Sequence, residues 1–274
     1  MTDSLRIAAV IGDPIAHSRS PRLHGHWLQR YGIQGHYVPL HVRSADLAQV
    51  LDTLPRMGFV GANVTIPHKR DALTLADAVT PLARRIGAAN TLSFTDKGIE
   101  ADNTDAYGFS QNIAAAVPGW APRRVAVIGA GGAIRAVLVA LLDLGVQEIR
   151  LTNRTSERAQ DLALEFGARV VALPWSDRAA MLDNCDTLVN GTALGMVGNP
   201  PLELDLRALP VDAVVNDLVY APLETPLLAQ ARARGNLCVD GLGMLLHQAA
   251  PGFQRWFGRE PEVDESLRRA VMAS

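Results

Sequence analysis

The segment 125–145, VAVIGAGGAIRAVLVALLDLG, constrains the fold of this chain more than any other. An apolar, strand-like run ends in Gly129, Gly131 and Gly132, and a helical pattern follows at once. Glycines at such a turn let the backbone approach a pyrophosphate closely, and the N–H groups at the helix start can donate to it. Ile134 stands where the third glycine of G-x-G-x-x-G would be. The strand before and the helix after favour a nucleotide site over a purely structural turn.

Strand-like runs alternate with helical patterns along the chain, which is typical of an α/β fold. Three strands and a hairpin in the first hundred residues predict a mixed sheet. Beyond residue 123, six short strands match a Rossmann-like, doubly wound parallel sheet. The tail after residue 241 is helical and has no strand of its own. We therefore predict two domains, one formed by 1–105 with 241–274 and completed by the C-terminal helices, the other by 106–240.

Composition excludes several classes of protein. The chain has 274 residues, a formal net charge of −2 and two cysteines outside any metal-ligand spacing. The chain has no excess of basic residues that would favour binding to nucleic acid or to an anionic membrane. The N-terminus lacks the features of a signal peptide, and the apolar runs are shorter than a membrane span. We expect a cytoplasmic protein with no nucleic-acid or membrane partner, as a monomer or homodimer.

Basic residues follow the strand EIRLTN, where an NAD-binding fold carries an acid for the ribose 2′-hydroxyl. The chain offers Asn153, Arg154, Thr155 and Arg158 there. An arginine can meet a 2′-phosphate with a charge-assisted fork of donors. The alternative is that Arg154 and Arg158, spaced i to i+4, form a solvated face of the next helix. The position directly after the second strand favours NADP.

Polar residues gather where the strands of the first domain end. Ser18 and Ser20 lie two apart before Pro21, and their hydroxyls suit an anion such as a carboxylate. Ser20 is equally well explained as a helix N-cap. In GANVTIPHKR, Asn63 and Thr65 share one face of a strand, and Lys69 follows. The alternation of Asn63 and Thr65 also fits a half-buried surface strand, and a lone lysine is more often a solvated surface residue.

Further polar residues extend this candidate site. Asn90 and Thr104 flank the hairpin, and Asp105 could either serve the site or cap the next helix. Gln248 falls on an apolar helical stripe, where a buried amide needs partners and a polyol is one candidate. His24 and His26 face apart on a helix and have no acidic or cysteine partner nearby, so we predict no metal site.

Eight motifs stand in order over nearly the whole chain: PIAHSRSP, NVTIPHK, GAANTL, DNTD, GAGGA, NRT with Arg158, DLVYAPLETPLL and DGLGMLLHQA. Together they resemble the shikimate dehydrogenase family, the NADP-dependent oxidoreductases of the shikimate pathway of aromatic amino-acid biosynthesis. The resemblance implies reversible reduction of 3-dehydroshikimate to shikimate by hydride transfer at C3.

The resemblance also implies site residues, position by position. Lys69 and Asp105 would be the catalytic pair. The substrate carboxylate would meet Ser18 and Ser20, with Tyr220 assisting. The ring hydroxyls would meet Asn63, Thr65, Asn90, Asp105 and Gln248. NADP would be held by Gly129, Ala130, Gly131, Gly132, Ala133, Asn153, Arg154, Thr155, Arg158 and Gly241.

Two other functions are compatible with the same fold and motifs. A quinate/shikimate or aminoshikimate dehydrogenase is the nearest alternative, but users of quinate often take NAD, against which the basic cluster argues. A non-catalytic NADP- or metabolite-binding regulator is the other, since fold does not imply function. Lys69 and Asp105 argue against a pure binder, which needs no proton donor.

Overall fold

A computed structural model describes residues 5–273, so the predicted N-terminal segment is seen only from residue 5. Strands and α-helices alternate through this part of the chain. The strands are β1 (Arg6–Gly12), β2 (Gly35–His41), β3 (Phe59–Val64), β4 (Ala78–Val79), β5 (Thr91–Thr95), β6 (Gly98–Asp102), β7 (Arg124–Ile128), β8 (Glu148–Thr152), β9 (Val170–Leu173), β10 (Thr187–Asn190), β11 (Val214–Asp217) and β12 (Leu237–Val239). The helices are α1 (Ser20–Arg30), α2 (Leu47–Arg56), α3 (Lys69–Leu75), α4 (Pro81–Ile86), α5 (Asp105–Ala116), α6 (Gly132–Asp143), α7 (Ser156–Phe166), α8 (Pro226–Ala233), α9 (Leu242–Phe257) and α10 (Glu265–Met272).

The chain divides into two compact units, 1–108 with 246–274 and 109–245. The predicted domains divide it at 105/106 and 240/241. In both descriptions the C-terminal helical segment joins the first part of the chain, as expected of helices that have no sheet of their own to cover.

The first unit contains a mixed six-stranded sheet in the order β2-β1-β3-β5-β6-β4. Strand β1 pairs in parallel with both β2 and β3, whereas β5 runs antiparallel to both β3 and β6. The predicted hairpin is the β5–β6 pair. Apolar residues of β1, α2 and β5, such as Ile11, Leu51 and Leu92, form the core of this unit. The mixed sheet predicted from the sequence is therefore confirmed.

The second unit contains six parallel strands in the order β12-β11-β10-β7-β8-β9. Numbered within the unit, this is the 3-2-1-4-5-6 order of a doubly wound dinucleotide-binding sheet. Strand order reverses between β7 and β10, and ligands of such sheets bind beyond the carboxyl ends of the strands at that point. The predicted Rossmann-like sheet is confirmed.

The two cysteines, Cys185 and Cys238, are free thiols. Across residues 5–273, no helix combines the length and the apolar character that a membrane crossing requires. The same residues contain no group of three or more His, Cys, Asp or Glu side chains arranged to hold a metal ion.

Candidate active site

One edge of the mixed sheet collects the polar motifs of the first unit. Because β1 and β3 are parallel, the segments that follow them leave the sheet at the same edge. Because β5 runs antiparallel to β3 and β6, its start and the end of β6 lie at that edge too. Asn63 pairs with Thr91, and Thr91 pairs with Asp102 on the other side. The topology thus brings together residues that are up to ninety positions apart in the chain.

Lys69 and Asp105 form an ion pair at this edge, with Nζ 2.5 Å from Oδ2. Their side chains are 17% and 9% exposed, respectively. Lys69 is the first residue of α3, after the cis Ile66–Pro67 bond, and its carbonyl accepts from the Ala89 N–H at 2.8 Å. The pair is therefore largely withdrawn from solvent, unlike a solvated surface lysine.

Asp105 begins α5, and its backbone N–H donates to Asn103 Oδ1 at 2.9 Å. Its carboxylate accepts from Lys69 through Oδ2 and from Asn90 Nδ2 through Oδ1, the latter at 2.8 Å. Both carboxylate oxygens are thus directed at neighbouring site residues. The site contacts explain this residue more fully than helix capping does.

Asn90 lies at the centre of a buried polar network. Its Nδ2 also approaches Thr104 Oγ1 at 3.1 Å and Gln248 Oε1 at 3.2 Å, and its Oδ1 accepts from the Thr104 N–H at 2.8 Å. Gln248, on α9, is 9% exposed. The structure thus brings Asn90, Thr104, Asp105 and Gln248 together around one amide, as partners that satisfy each other's buried polar atoms.

Asn63 lies within hydrogen-bonding distance of the same network. Its Nδ2 donates to the Asn90 carbonyl at 3.1 Å and to Thr91 Oγ1 at 3.2 Å, and its Oδ1 accepts from the Tyr37 hydroxyl at 2.6 Å. Thr65, one residue beyond β3, is half-buried. A Cβ at Gly12 would lie 2.6 Å from the Thr65 methyl, so the glycine keeps the ends of β1 and β3 close together.

The two serines differ from the sequence prediction in one respect. One of the two interpretations of Ser20 makes it the N-cap of α1, but Ser20 is the first residue of that helix and Arg19 precedes it as the cap. The Ser18 hydroxyl accepts from the Ser20 N–H at 3.3 Å, so it serves one of the free amides at the helix start. The cap interpretation of Ser20 was wrong, because the helix begins one residue earlier than Pro21 indicated.

His24 is fully buried on α1 and stacks on Tyr37, with ring centroids 3.9 Å apart and planes 5° from parallel. Burial lowers the pKa of His24 from 6.5 to about 3. Between these values the unfolded chain binds a proton that the folded chain does not. The free energy of unfolding should therefore fall as the pH drops from about 6.5 toward 3.

We predict that His24 alone lowers the free energy of unfolding by about 2 kcal/mol between pH 6.5 and pH 4.5. Urea titrations of the unmodified protein and of His24→Phe at both pH values measure the effect. The variant keeps a ring against Tyr37 but has no proton to gain, so its loss should be smaller by about that amount. Equal losses in both proteins would contradict the prediction.

In the second unit, the glycine-rich turn follows β7 at the point where strand order reverses. Gly129 has a φ of +111°, and a Cβ there would lie 3.0 Å from the Gly191 backbone. A Cβ at Gly131 or Gly132 would meet nothing within 4 Å. The last two glycines therefore leave open space in front of the first turn of α6, where the N–H groups of Gly132 and Ala133 have no carbonyl one turn earlier in the helix to donate to.

Ile134 replaces the third glycine of the motif without loss of packing. In dinucleotide-binding folds this glycine allows the helix to pack closely on the strand. Here Ile134 is fully buried, and a Cβ at Gly191, just after β10, would lie 2.1 Å from Ile134 Cδ1. Gly191 provides the space that the larger Ile134 side chain needs, so it compensates for the departure from G-x-G-x-x-G.

The basic cluster follows β8. Helix α7 begins at Ser156, so Arg154 lies in the preceding loop and only Arg158 lies on the helix. Both arginines are exposed, and among residues 5–273 neither has an acidic partner. Asn153 Nδ2 donates to the Thr155 carbonyl at 2.9 Å, which shapes the loop. The alternative of one solvated helix face is wrong, because Arg154 precedes the helix.

The remaining predicted residues of this unit follow β11 and β12. Tyr220 is half-buried, three residues beyond the end of β11. Gly241 donates its N–H to the Val219 carbonyl at 3.2 Å, and a Cβ there would lie 2.1 Å from the Leu218 carbonyl oxygen. Close backbone contact therefore requires glycine at 241.

Three family models match the chain. They describe a shikimate dehydrogenase substrate binding domain at residues 10–92, a shikimate/quinate 5-dehydrogenase at 112–196 and a shikimate 5′-dehydrogenase C-terminal domain at 241–271. The chain belongs to the shikimate dehydrogenase family. The resemblance inferred from the eight motifs is confirmed.

Individual members of the shikimate dehydrogenase family agree with this assignment. The shikimate dehydrogenase (NADP(+)) of Paracoccus denitrificans is 61% identical over 97% of this chain and 96% of its own. A Thermus thermophilus shikimate 5-dehydrogenase, solved with NADP(H) and shikimate, has a TM-score of 0.86 at 38% identity, covering 97% of this chain and 99% of its own. A quinate dehydrogenase of Corynebacterium glutamicum, solved with NAD, has a TM-score of 0.89 at 32% identity, covering 97% and 96%.

The residues of the second unit fit the NADP of this family. Open space in front of Gly131 and Gly132 leaves room for a pyrophosphate at the start of α6. Arg154 and Arg158 are exposed and pair with no acidic side chain of the described residues, so their charges are available to a phosphate.

Sequence reasoning missed two side chains of the first unit, Tyr37 and Thr91. Both are buried and both bond to Asn63. Tyr37 falls on a strand outside every recognised motif, and no local signal marks its hydroxyl as a partner of Asn63.

Proposed function

We propose that Lys69 and Asp105 are the proton-transfer pair of this chain, which catalyses the reversible, NADP-dependent reduction of 3-dehydroshikimate to shikimate. The reaction and the cofactor follow from the family and from the relatives named above. The roles of the individual side chains are our proposal. The observation that carries it is the 2.5 Å ion pair between Lys69 and Asp105, nearly buried beside the amides of Asn90 and Gln248.

The proton follows a short path in this proposal. Bound NADP(H) supplies or takes up the hydride at C3 of the substrate. In the reducing direction, Lys69 as an ammonium donates a proton from Nζ to the C3 ketone oxygen, which becomes the hydroxyl. In the oxidising direction, Lys69 as an amine accepts that proton back. Asp105 holds Nζ in place and orients it, so the donor is aligned before reaction.

The use of lysine at this position supports a proton-transfer role. The chain has 26 lysine and arginine residues in total, and only Lys69 and Lys97 are lysines. Arginine holds charge equally well and pairs better with carboxylates, but it does not release its proton in proteins. A chain that uses arginine almost everywhere else keeps lysine where a proton must move.

The other contacts are assigned from the family pattern and the placement of the residues. We assign the substrate contacts other than Tyr220 to residues 1–108 with 246–274, and the NADP contacts to residues 109–245. Ser18 and Ser20, assisted by Tyr220, are proposed to bind the substrate carboxylate. Asn63, Thr65, Asn90 and Gln248 are proposed to bind its hydroxyls. The NADP contacts are proposed to be Gly129, Ala130, Gly131, Gly132, Ala133, Asn153, Arg154, Thr155, Arg158 and Gly241.

Initial rates at 340 nm, with shikimate and quinate each tested against NADP and NAD, examine this function. We expect rapid reduction of NADP with shikimate and little turnover of the other pairs. Efficient turnover of quinate with NAD would instead indicate the function of the Corynebacterium glutamicum neighbour. No turnover of any pair by folded protein would indicate a binding protein. A cytoplasmic location and a monomeric or homodimeric state remain predictions.

A further inference from the structure

Tyr37 reaches Asn63 across the strand that separates them. On β2 it pairs with Ala8, and Asn63 on β3 pairs with Val10, two residues along β1. Residues two apart on a strand share a face, so Tyr37 and Asn63 lie on the same face of the sheet. Tyr37 is 7% exposed, and its hydroxyl lies 2.6 Å from Asn63 Oδ1.

The partners of Asn63 fix which way its amide faces. The Asn90 backbone carbonyl can only accept, so the Asn63 atom 3.1 Å from it must be the amide nitrogen. The oxygen of the amide then faces Tyr37. Because that oxygen carries no proton, the Tyr37 hydroxyl must be the donor.

This arrangement leaves Asn63 with one free hydrogen-bonding position. Its two N–H groups donate to the Asn90 carbonyl and to Thr91 Oγ1. One lone pair of Oδ1 accepts from Tyr37. The second has no hydrogen-bond donor among residues 5–273, since neither ring nitrogen of the neighbouring His24 makes a hydrogen bond. We infer that Tyr37 is a positioning residue that presents Asn63 to the substrate as an acceptor only, so that the site selects a ring hydroxyl donating to Oδ1. This inference rests on the proposed role of Asn63 in binding a substrate hydroxyl.

The surroundings of Tyr37 hold it in this role. His24 stacks on its ring at 3.9 Å, which fixes the plane of the phenol. Burial raises the pKa of Tyr37 well above its ordinary value, against a smaller opposite effect of the Ser20 hydroxyl. The phenol therefore keeps its proton, and it lies near two residues assigned to different ends of the substrate, Ser20 and Asn63.

Tyr37→Phe tests the inference because it removes only the hydroxyl and keeps the ring on His24. We expect KM for shikimate to rise about fivefold with kcat nearly unchanged, as for the loss of one neutral hydrogen bond made equally in ground and transition states. KM for NADP should not change. Kinetics with 4-deoxyshikimate and 5-deoxyshikimate identify the hydroxyl: the penalty of Tyr37→Phe should vanish for one analogue and persist for the other.

Tyr31→Phe is the matched control, because the Tyr31 hydroxyl also makes a hydrogen bond, from the Glu262 N–H at 2.8 Å, but lies outside the site. It should leave every kinetic constant unchanged. A Tyr37→Phe penalty that is absent, or equal for shikimate and both analogues, would overturn the inference while leaving the proposed reaction intact. Failure of the unmodified protein to oxidise shikimate would instead overturn the proposed function.

Discussion

Replacing Lys69 by alanine is expected to lower kcat for shikimate oxidation by about 10²- to 10⁴-fold, the usual contribution of a positioned general acid or base. KM for shikimate should change only a few-fold, because the hydroxyl and carboxylate contacts assigned to other residues remain. Initial rates over a range of shikimate concentrations at saturating NADP separate the two constants. A large rise in KM with kcat intact would make Lys69 a binding residue instead.

Lys69→Arg separates charge from proton transfer. The arginine keeps a positive charge next to Asp105 but does not release a proton at neutral pH. If the role of Lys69 is to move a proton, the arginine variant should be nearly as slow as the alanine variant. If the role is only to place a positive charge, the arginine variant should recover most of the rate. Lys97→Ala is the control, since Lys97 is exposed at the β5–β6 turn.

With only these two lysines in the chain, labelling can check the same assignment independently. A lysine-selective reagent can modify Lys69, Lys97 and the N-terminal amine. Shikimate together with NADP should protect Lys69 and leave Lys97 reactive, as read by mass spectrometry of the peptides. Protection of neither lysine would contradict the placement of substrate beside Lys69.

Much of the fold could be predicted because its signals are local. Each of the six strands of the parallel sheet is a short apolar run that ends at a turn or a glycine, so the pattern alone marks it. The hairpin around Asp96-Lys97-Gly98 carries its own turn signal. By contrast, β4 has only two residues, and it pairs with β6, where Ala78 lies opposite Glu100. Periodicity cannot be read from two residues.

The site could be predicted in its motifs but not in its contacts. The sequence indicates that Lys69 and Asp105 follow strands, but the antiparallel insertion of β5 is what brings them to one edge. The compensation of Ile134 by Gly191 joins residues 57 positions apart (191 − 134) and follows from packing alone. The same holds for Tyr37 and Asn63, 26 positions apart. Side-chain partners across strands depend on register, which no local pattern carries.

The amide network adds a constraint on how substrate can bind. Asn90 and Gln248 bond to each other at 3.2 Å, and Asn90 also bonds to Asp105. If Asn90 and Gln248 bind the substrate as we propose, a substrate hydroxyl replaces or shares these bonds. Binding exchanges one set of hydrogen bonds for another, so its net gain per contact should be modest, as for hydrogen bonds exchanged on folding. On the proposed assignment the site therefore favours a polyol over an apolar ring, which could not take part in this exchange.

Replacing Arg154 by alanine is expected to raise KM for NADP by about 10- to 100-fold, the loss of a charge-assisted hydrogen bond to a phosphate. KM for NAD should change by less than about threefold, because NAD carries no 2′-phosphate. Arg158→Ala should act in the same direction, and the double variant should prefer NADP little or not at all. Initial rates over a range of NADP and of NAD concentrations, at saturating shikimate, give the ratio of the two KM values.

The control for Arg154→Ala is Arg207→Ala. Arg207 is an exposed arginine of the same unit and is paired with Asp205. Its replacement should leave both cofactor constants unchanged. Equal losses for NADP and NAD in Arg154→Ala would place the arginine on the part that the two cofactors share, such as the adenine. The loop position of Arg154, ahead of α7 and without an acidic partner among residues 5–273, argues for the phosphate. A guanidinium left unpaired beside the end of β8 has its donors available for the one group that distinguishes NADP from NAD.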